Sequence, residues 1–166
     1  MAVTHSKSTT ITNYEAAQQT LANKTKIGGV LRESIETFEL TADDATSTTR
    51  FFRVHSGWRI SSLGWASDDV ATSGTIHVGM HDTTEKGGAV VDADFFLASQ
   101  VLTSGPTAMA YITPAAVAIE NLGKELWEML ALTSDPNKWY DVSVTVATAL
   151  GAVGTLTLAV KYVDGN

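Results

Sequence analysis

The chain has 166 residues, 44% of them hydrophobic and 17% charged, with 11 basic and 18 acidic side chains and a net charge of −7 at pH 7. That size and composition support one domain with a buried core and exclude whole-chain disorder. Cysteine is absent, which excludes disulfide frameworks, thiol nucleophiles and Cys-ligated zinc or iron–sulfur centres, and which fits a reducing compartment.

Met1–Leu21 is polar almost throughout, so no signal peptide is expected, and no later apolar run approaches the roughly 18–20 residues of a membrane span. Residues 1–25 read as an extended N-terminal arm: Thr4–Asn13 has no repeating apolar face, and Tyr14–Ala22 offers at most a turn or two of helix. Such a segment is expected to be mobile or to order against a partner. Residues 1–29 carry Lys7, Lys24 and Lys26 against Glu15, a balance of +2, which leaves −9 on the rest of the chain. The acidic body repels phosphate backbones, so no nucleic-acid partner is expected. The basic lead-in suits either an acidic protein surface or plain solvation.

From residue 26 the texture is that of strands, and residues 26–166 are read as a β-sandwich body. The chain holds 23 Thr, many alternating with apolar residues, and branched side chains fit a pleated surface. Leu31–Leu40 reads as a strand of imperfect alternation. Phe51–His55 and Trp58–Trp65 read as a pair of strands separated by Ser56-Gly57. Thr75–Met80 puts Ile76, Val78 and Met80 on one buried face; Thr83–Gly88 is a polar turn, and Phe95–Val101 a further strand or irregular edge. Asn121–Leu132 departs from the pattern: Leu122, Leu126, Met129 and Leu130 stand at helical spacing, ended by Ser134-Asp135-Pro136. The C-terminus alternates again, Val142, Val144 and Val146 before a glycine-bounded turn, then Leu156, Leu158, Val160 and Tyr162, and reads as an antiparallel hairpin. Several short strands with turn signals predict a mainly β protein, an antiparallel sandwich or barrel capped by one short helix.

A search for chemistry returns nothing catalytic. His77 and His81 would be a metal pair on a helix, but on a strand they lie about 13 Å apart, so both are read as solvent-facing; no metal ligand is assigned. Asp43-Asp44, Asp68-Asp69 and Asp92-Ala93-Asp94 suit turns better than calcium, which needs six or more converging oxygens. Phosphate-cradling glycine loops and a nucleophile elbow are absent, so no cofactor is expected. Trp58, Trp65, Trp127 and Trp139 have apolar flanks, which favours core or subunit-interface packing over a sugar platform.

Two stretches carry a resemblance. Gly74–Met80 followed by Val90–Ser99, and Gly123–Pro136 followed by Gly154–Val163, resemble segments of tailed-bacteriophage head decoration (capsid cement) proteins, and Ser8–Asn13 is similar to the start of such chains. Together they span something over half the chain. Ala131 departs from the pattern, where glycine is commoner. The resemblance implies a jelly-roll-like sandwich on the outside of an icosahedral head, a non-enzymatic virion protein made in the bacterial host cytoplasm. It implies the major capsid protein as partner, self-association with a trimer favoured, and an arm lying along the capsid. Ile11, Tyr14 and Leu21 are the arm's apolar anchors and Lys7 its charge; Trp127 and Trp139 are the candidates for the subunit interface. A tail, neck or head-fibre component is the alternative, and a carbohydrate-binding sandwich module a remoter one.

Overall fold

A computed structural model of the chain describes residues 7–20, 24–68, 74–102, 108–112 and 121–164. After helix α1 (Thr9–Glu15) come strands β1 (Val30–Leu40), β2 (Thr48–His55), β3 (Arg59–Ser67), β4 (Thr75–Asp82), β5 (Val90–Val101) and β6 (Ala110–Ile112). Helix α2 (Leu126–Met129) precedes β7 (Trp139–Thr148) and β8 (Gly154–Asp164).

The strands form two four-stranded antiparallel sheets, in the orders β1-β8-β3-β6 and β2-β7-β4-β5. First pairs with last, second with seventh, third with sixth and fourth with fifth. The chain is therefore one long hairpin whose tip is the β4–β5 turn, wound so that successive pairs fall in opposite sheets. That winding is the jelly roll, which answers the sandwich expectation.

It also corrects two pairings. β7 and β8 do not form a hairpin: β7 pairs with β2 and β4, whereas β8 pairs with β1 and β3. β2 and β3 likewise lie in different sheets, joined by a corner at Ser56-Gly57. The physical reason is common to both. Alternation reports one buried face per strand, and two successive strands facing one core from opposite sheets show the same alternation as a hairpin. The β4–β5 hairpin does form, around a 3₁₀ turn at Thr84–Lys86.

Leu156, Leu158, Val160 and Tyr162 of β8 and Ile60, Leu63 and Trp65 of β3 meet Val142, Val144 and Val146 of β7 and Ile76, Val78 and Met80 of β4 in the core. Each such side chain, fully buried, stabilises the fold by about 1.5–3 kcal/mol before entropy is counted. Ile60 and Leu63 are an odd number of residues apart, yet both face inward because the β3–β8 register shifts between Ile60 and Ser62.

The helices are shorter or earlier than their spacing predicts. Instead of residues 121–132, only Leu126–Met129 is helical. Glu128 reaches back to accept from the Glu125 N–H at 2.8 Å, as in a capping box. At the other end Leu132 N–H donates to Trp127 O and Ala131 N–H to Glu128 O, both at 3.1 Å, with Ala131 at φ 55°: a Schellman stop that ends the helix before Ser134. The arm's helix forms at Thr9–Glu15 rather than Tyr14–Ala22, because Ser8 caps it by accepting from the Ile11 N–H at 3.3 Å.

Candidate interaction surfaces

No residue of the arm's helix α1 is buried, and only Thr10 and Asn13 are partly covered. Ile11 and Tyr14 are 46% and 37% exposed, and Lys7 forms an ion pair with Glu15 across the helix. Leu21 lies outside the described residues. Thr25 is joined to the body: it is 2% exposed and its carbonyl accepts from Arg59 Nε at 2.7 Å.

The four tryptophans divide. Trp58 and Trp65 belong to the core. Trp58 stacks on Tyr162 with centroids 3.9 Å apart, and Trp139 meets Trp58 and His55 edge-on at 5.2 and 5.1 Å. Trp139 stays 45% exposed. It walls a cleft of about 690 Å³ that Arg53, Asp82, Glu85, Lys86 and Lys138 also line. Trp127 is half-buried on α2, its Nε1–H donating to Glu125 Oε2 at 2.9 Å. Backbone bonds from Leu126 and Trp127 to the carbonyls of Trp58 and Ser56 stitch α2 to the β2–β3 corner.

The outer face of the β2-β7-β4-β5 sheet holds a charge network the sequence does not advertise. Arg50 and Arg53, three residues apart, would project to opposite faces of a regular strand. A register shift between Arg50 and Phe52 turns both outward, opposite Ser143 and Asp141. Arg50 donates to Asp141 Oδ2 at 2.6 Å and to the carbonyls of Asp82 and Gly88 at 2.7 and 3.0 Å. Arg53 donates to Asp141 Oδ1 at 3.0 Å and forks onto Glu85 at 2.9 and 3.0 Å. That fork, with backbone and Thr83 hydrogen bonds, holds the Glu85 carboxyl down at about 2. Lys138 pairs with Asp82 at 2.7 Å and is pushed up by it.

His81 sits in this network and is not solvent-facing: it is 5% exposed, with Nδ1 2.6 Å from Ser143 Oγ. Burial, then the Arg50 charge, lower its pKa, and Asp141 opposes them. The bulged β5 crosses the same face so closely that a Cβ on Gly79 would lie 2.2 Å from Asp92 O. His77 accepts from the Ser99 N–H at 3.0 Å instead of facing solvent unbonded. Asp43 accepts a turn hydrogen bond from Thr41 Oγ1, whereas Asp68 accepts from the distant Thr155 N–H at the start of β8, both at 2.6 Å, while Asp69 lies outside the described residues. Among the described residues no three His, Asp or Glu side chains converge as a metal cluster.

On the other sheet, Tyr111 lies over Gly64, donates to Glu33, and carries the Lys161 ammonium 3.5 Å above its ring. Beside it the edge strand β1 exposes Val30, Leu31, Ile35 and Phe38. Its imperfect alternation is the sequence signal for these exposed apolar side chains; of them, Phe38 meets Phe51 of β2 edge-on at 6.1 Å.

No family model matches the chain, and no curated protein does. Solved structures match in fold. A chain of the cyanophage Pam1 capsid asymmetric unit matches over 90% of this chain and 96% of that one, at 20% identity and a TM-score of 0.56. A chain of the capsid of Ralstonia phage GP4 matches over 83% of this chain and 86% of that one, at 14% identity and a TM-score of 0.60. At those identities the likeness shows a shared fold.

Proposed function

We propose that the chain is a non-enzymatic structural protein of a tailed-phage virion, a decoration or cement protein that binds the outside of the assembled capsid and stabilises it. The observation that carries this reading is the fold match with a chain from a phage capsid, over 90% of this chain and 96% of that one. The resemblance of Gly74–Ser99 and Gly123–Val163 to decoration proteins supports it from the sequence side.

In this reading the partners are the major capsid protein and further copies of the chain, as trimers, and no cofactor takes part. The arm makes the main shell contact through Ile11, Tyr14, Leu21 and Lys7, and Trp127 and Trp139 contribute to the subunit interface. Ile11 and Tyr14 support this by being exposed on a helix that buries nothing. Binding across neighbouring shell subunits favours the assembled head by mass action, and symmetric repetition multiplies a modest contact.

The test is the copy number of the chain in purified virions, relative to the major capsid protein, by quantitative mass spectrometry. Hundreds of copies are expected. A handful would assign it to the tail, neck or a head fibre, and none would overturn the virion reading. In the last case the exposed Trp139 beside its polar cleft favours a carbohydrate-binding module, which glycan quenching of tryptophan fluorescence would reveal.

A further inference from the structure

Among the described residues, four strand edges end the two sheets, and three are blunted. β6 has three residues; β2 is broken by a register shift beside two arginines; β5 shifts register three times against β4. β1 is different. It pairs with β8 without interruption from Val30 to Leu40, contains no Pro, Gly or Lys, and exposes Val30, Leu31, Ile35 and Phe38 at 45–62%. Long, regular, apolar edges are what soluble proteins avoid unless a strand is to be added.

We infer that β1 pairs antiparallel with β1 of a second copy across a two-fold axis at Ser34. Opposed residues in an antiparallel pair share the same hydrogen-bonding state, which alternates along each strand. Two identical edges therefore meet only in registers that place one residue on the axis. Centring on Arg32, Glu33 or Glu36 sets like charges face to face. Centring on Ile35 puts Arg32 against Phe38 and Leu31 against Glu39. Centring on Ser34 sets Arg32 against Glu36 and Val30 against Phe38, each twice by symmetry, with Leu31 against Thr37.

Arg32 is open to such a partner, its guanidinium held only at 4.0 Å from Asp164. Glu33, which would face Ile35, is already engaged by Tyr111. The pairing joins two four-stranded sheets into one continuous sheet and consumes both free edges, so the contact closes instead of propagating. It does not depend on the virion reading and is separate from any three-fold contact.

The chain has no cysteine, so one introduced thiol reports the register. Residues facing each other on the axis have Cα atoms about 4.5–5.5 Å apart, within disulfide range. Under mild oxidation at ~10 μM, Ser34→Cys is expected to give a covalent dimer on the order of a hundredfold faster than Thr37→Cys, because facing thiols reach millimolar effective concentration. Leu31→Cys combined with Thr37→Cys is expected to cross-link as well, and tests the same register should Ser34→Cys fail to fold by circular dichroism. A folded Ser34→Cys that cross-links no faster than Thr37→Cys, or an Ile35→Cys that outpaces it, overturns the proposal.

Discussion

At the scale of single residues, the outer face of the β2-β7-β4-β5 sheet makes stability depend on pH. His81 is held neutral, its pKa below the ordinary 6.5, first by burial and then by Arg50, against the pull of Asp141. The unfolded chain takes up this proton before the folded one does. Stability is therefore complete above about pH 6.5, falls as the pH drops below it, and levels off once the folded imidazole also protonates. The stability advantage of wild type over His81→Asn should shrink from pH 8 to pH 5; an advantage independent of pH would count against it. Gly79 gives a second test on the same face. Backbone atoms of Asp92 and Ala93 occupy the place a side chain would need, so Gly79→Ala should cost about 1–3 kcal/mol, the usual range for overpacking. An unchanged melting temperature would mean that β5 does not cross this face so closely. Neither His81's burial nor the Arg50–Asp141–Arg53 network was legible in the sequence. Both depend on bulges, at Phe51 and along β5, and a bulge breaks the period-two rule from which strand faces are read.

At the scale of elements, what the sequence carried was the inward face of the regularly alternating strands. Ile76, Val78 and Met80, and likewise Leu156 to Tyr162, are buried as their alternation predicts. Which strands pair was not carried, because register between distant strands is a property of the winding and leaves no local trace. The same division holds for α2. Its apolar spacing held at Leu126, which is fully buried, and at Met129 and Leu130, which pack on the core, but not at Leu122, which lies outside the helix and is 45% exposed; its length was set by end chemistry. Ala131 occupies the left-handed position after the C-cap, a conformation that costs an L-residue about 1 kcal/mol or more. Ala131→Gly should therefore stabilise the protein by about 0.5–1 kcal/mol, the relief of strain outweighing glycine's greater freedom when unfolded. Ala131→Val should destabilise it, because a branched side chain fits that region worst. A lower melting temperature for the glycine variant would show that the helix does not end in this turn.

At the scale of the whole molecule, the described part of the arm and the body differ in what is buried. The core is closed by strands from both ends of the body, β1 on β8 and β2 on β7, whereas α1 buries no side chain. The chain first joins the body near Thr25 and Gly29, where a Cβ on Gly29 would collide with Val163 and Lys24. An arm that orders only on a partner loses conformational entropy in doing so, which keeps each contact weak. On the symmetric shell proposed above many weak contacts would act together, and the arm would govern occupancy while contributing nothing to folding. Removing residues 1–20 should leave the unfolding transition in place. It should also lower the apparent affinity for capsids lacking the protein by at least tenfold, the equivalent of about 1.4 kcal/mol per arm. Two measurements decide this: thermal unfolding of the truncated chain, and its competition with the full chain for empty sites. Equal competition would move the shell contact from the arm to the sandwich, and a lowered melting temperature would show that the arm belongs to the body's packing after all. The charge division bears on the same test. The leading 29 residues carry +2 and the remainder −9, but residues 1–20 hold only Lys7 and Glu15, which cancel and pair with each other; the truncated chain keeps Lys24 and Lys26, so capsid binding should weaken with added salt to the same degree in both chains.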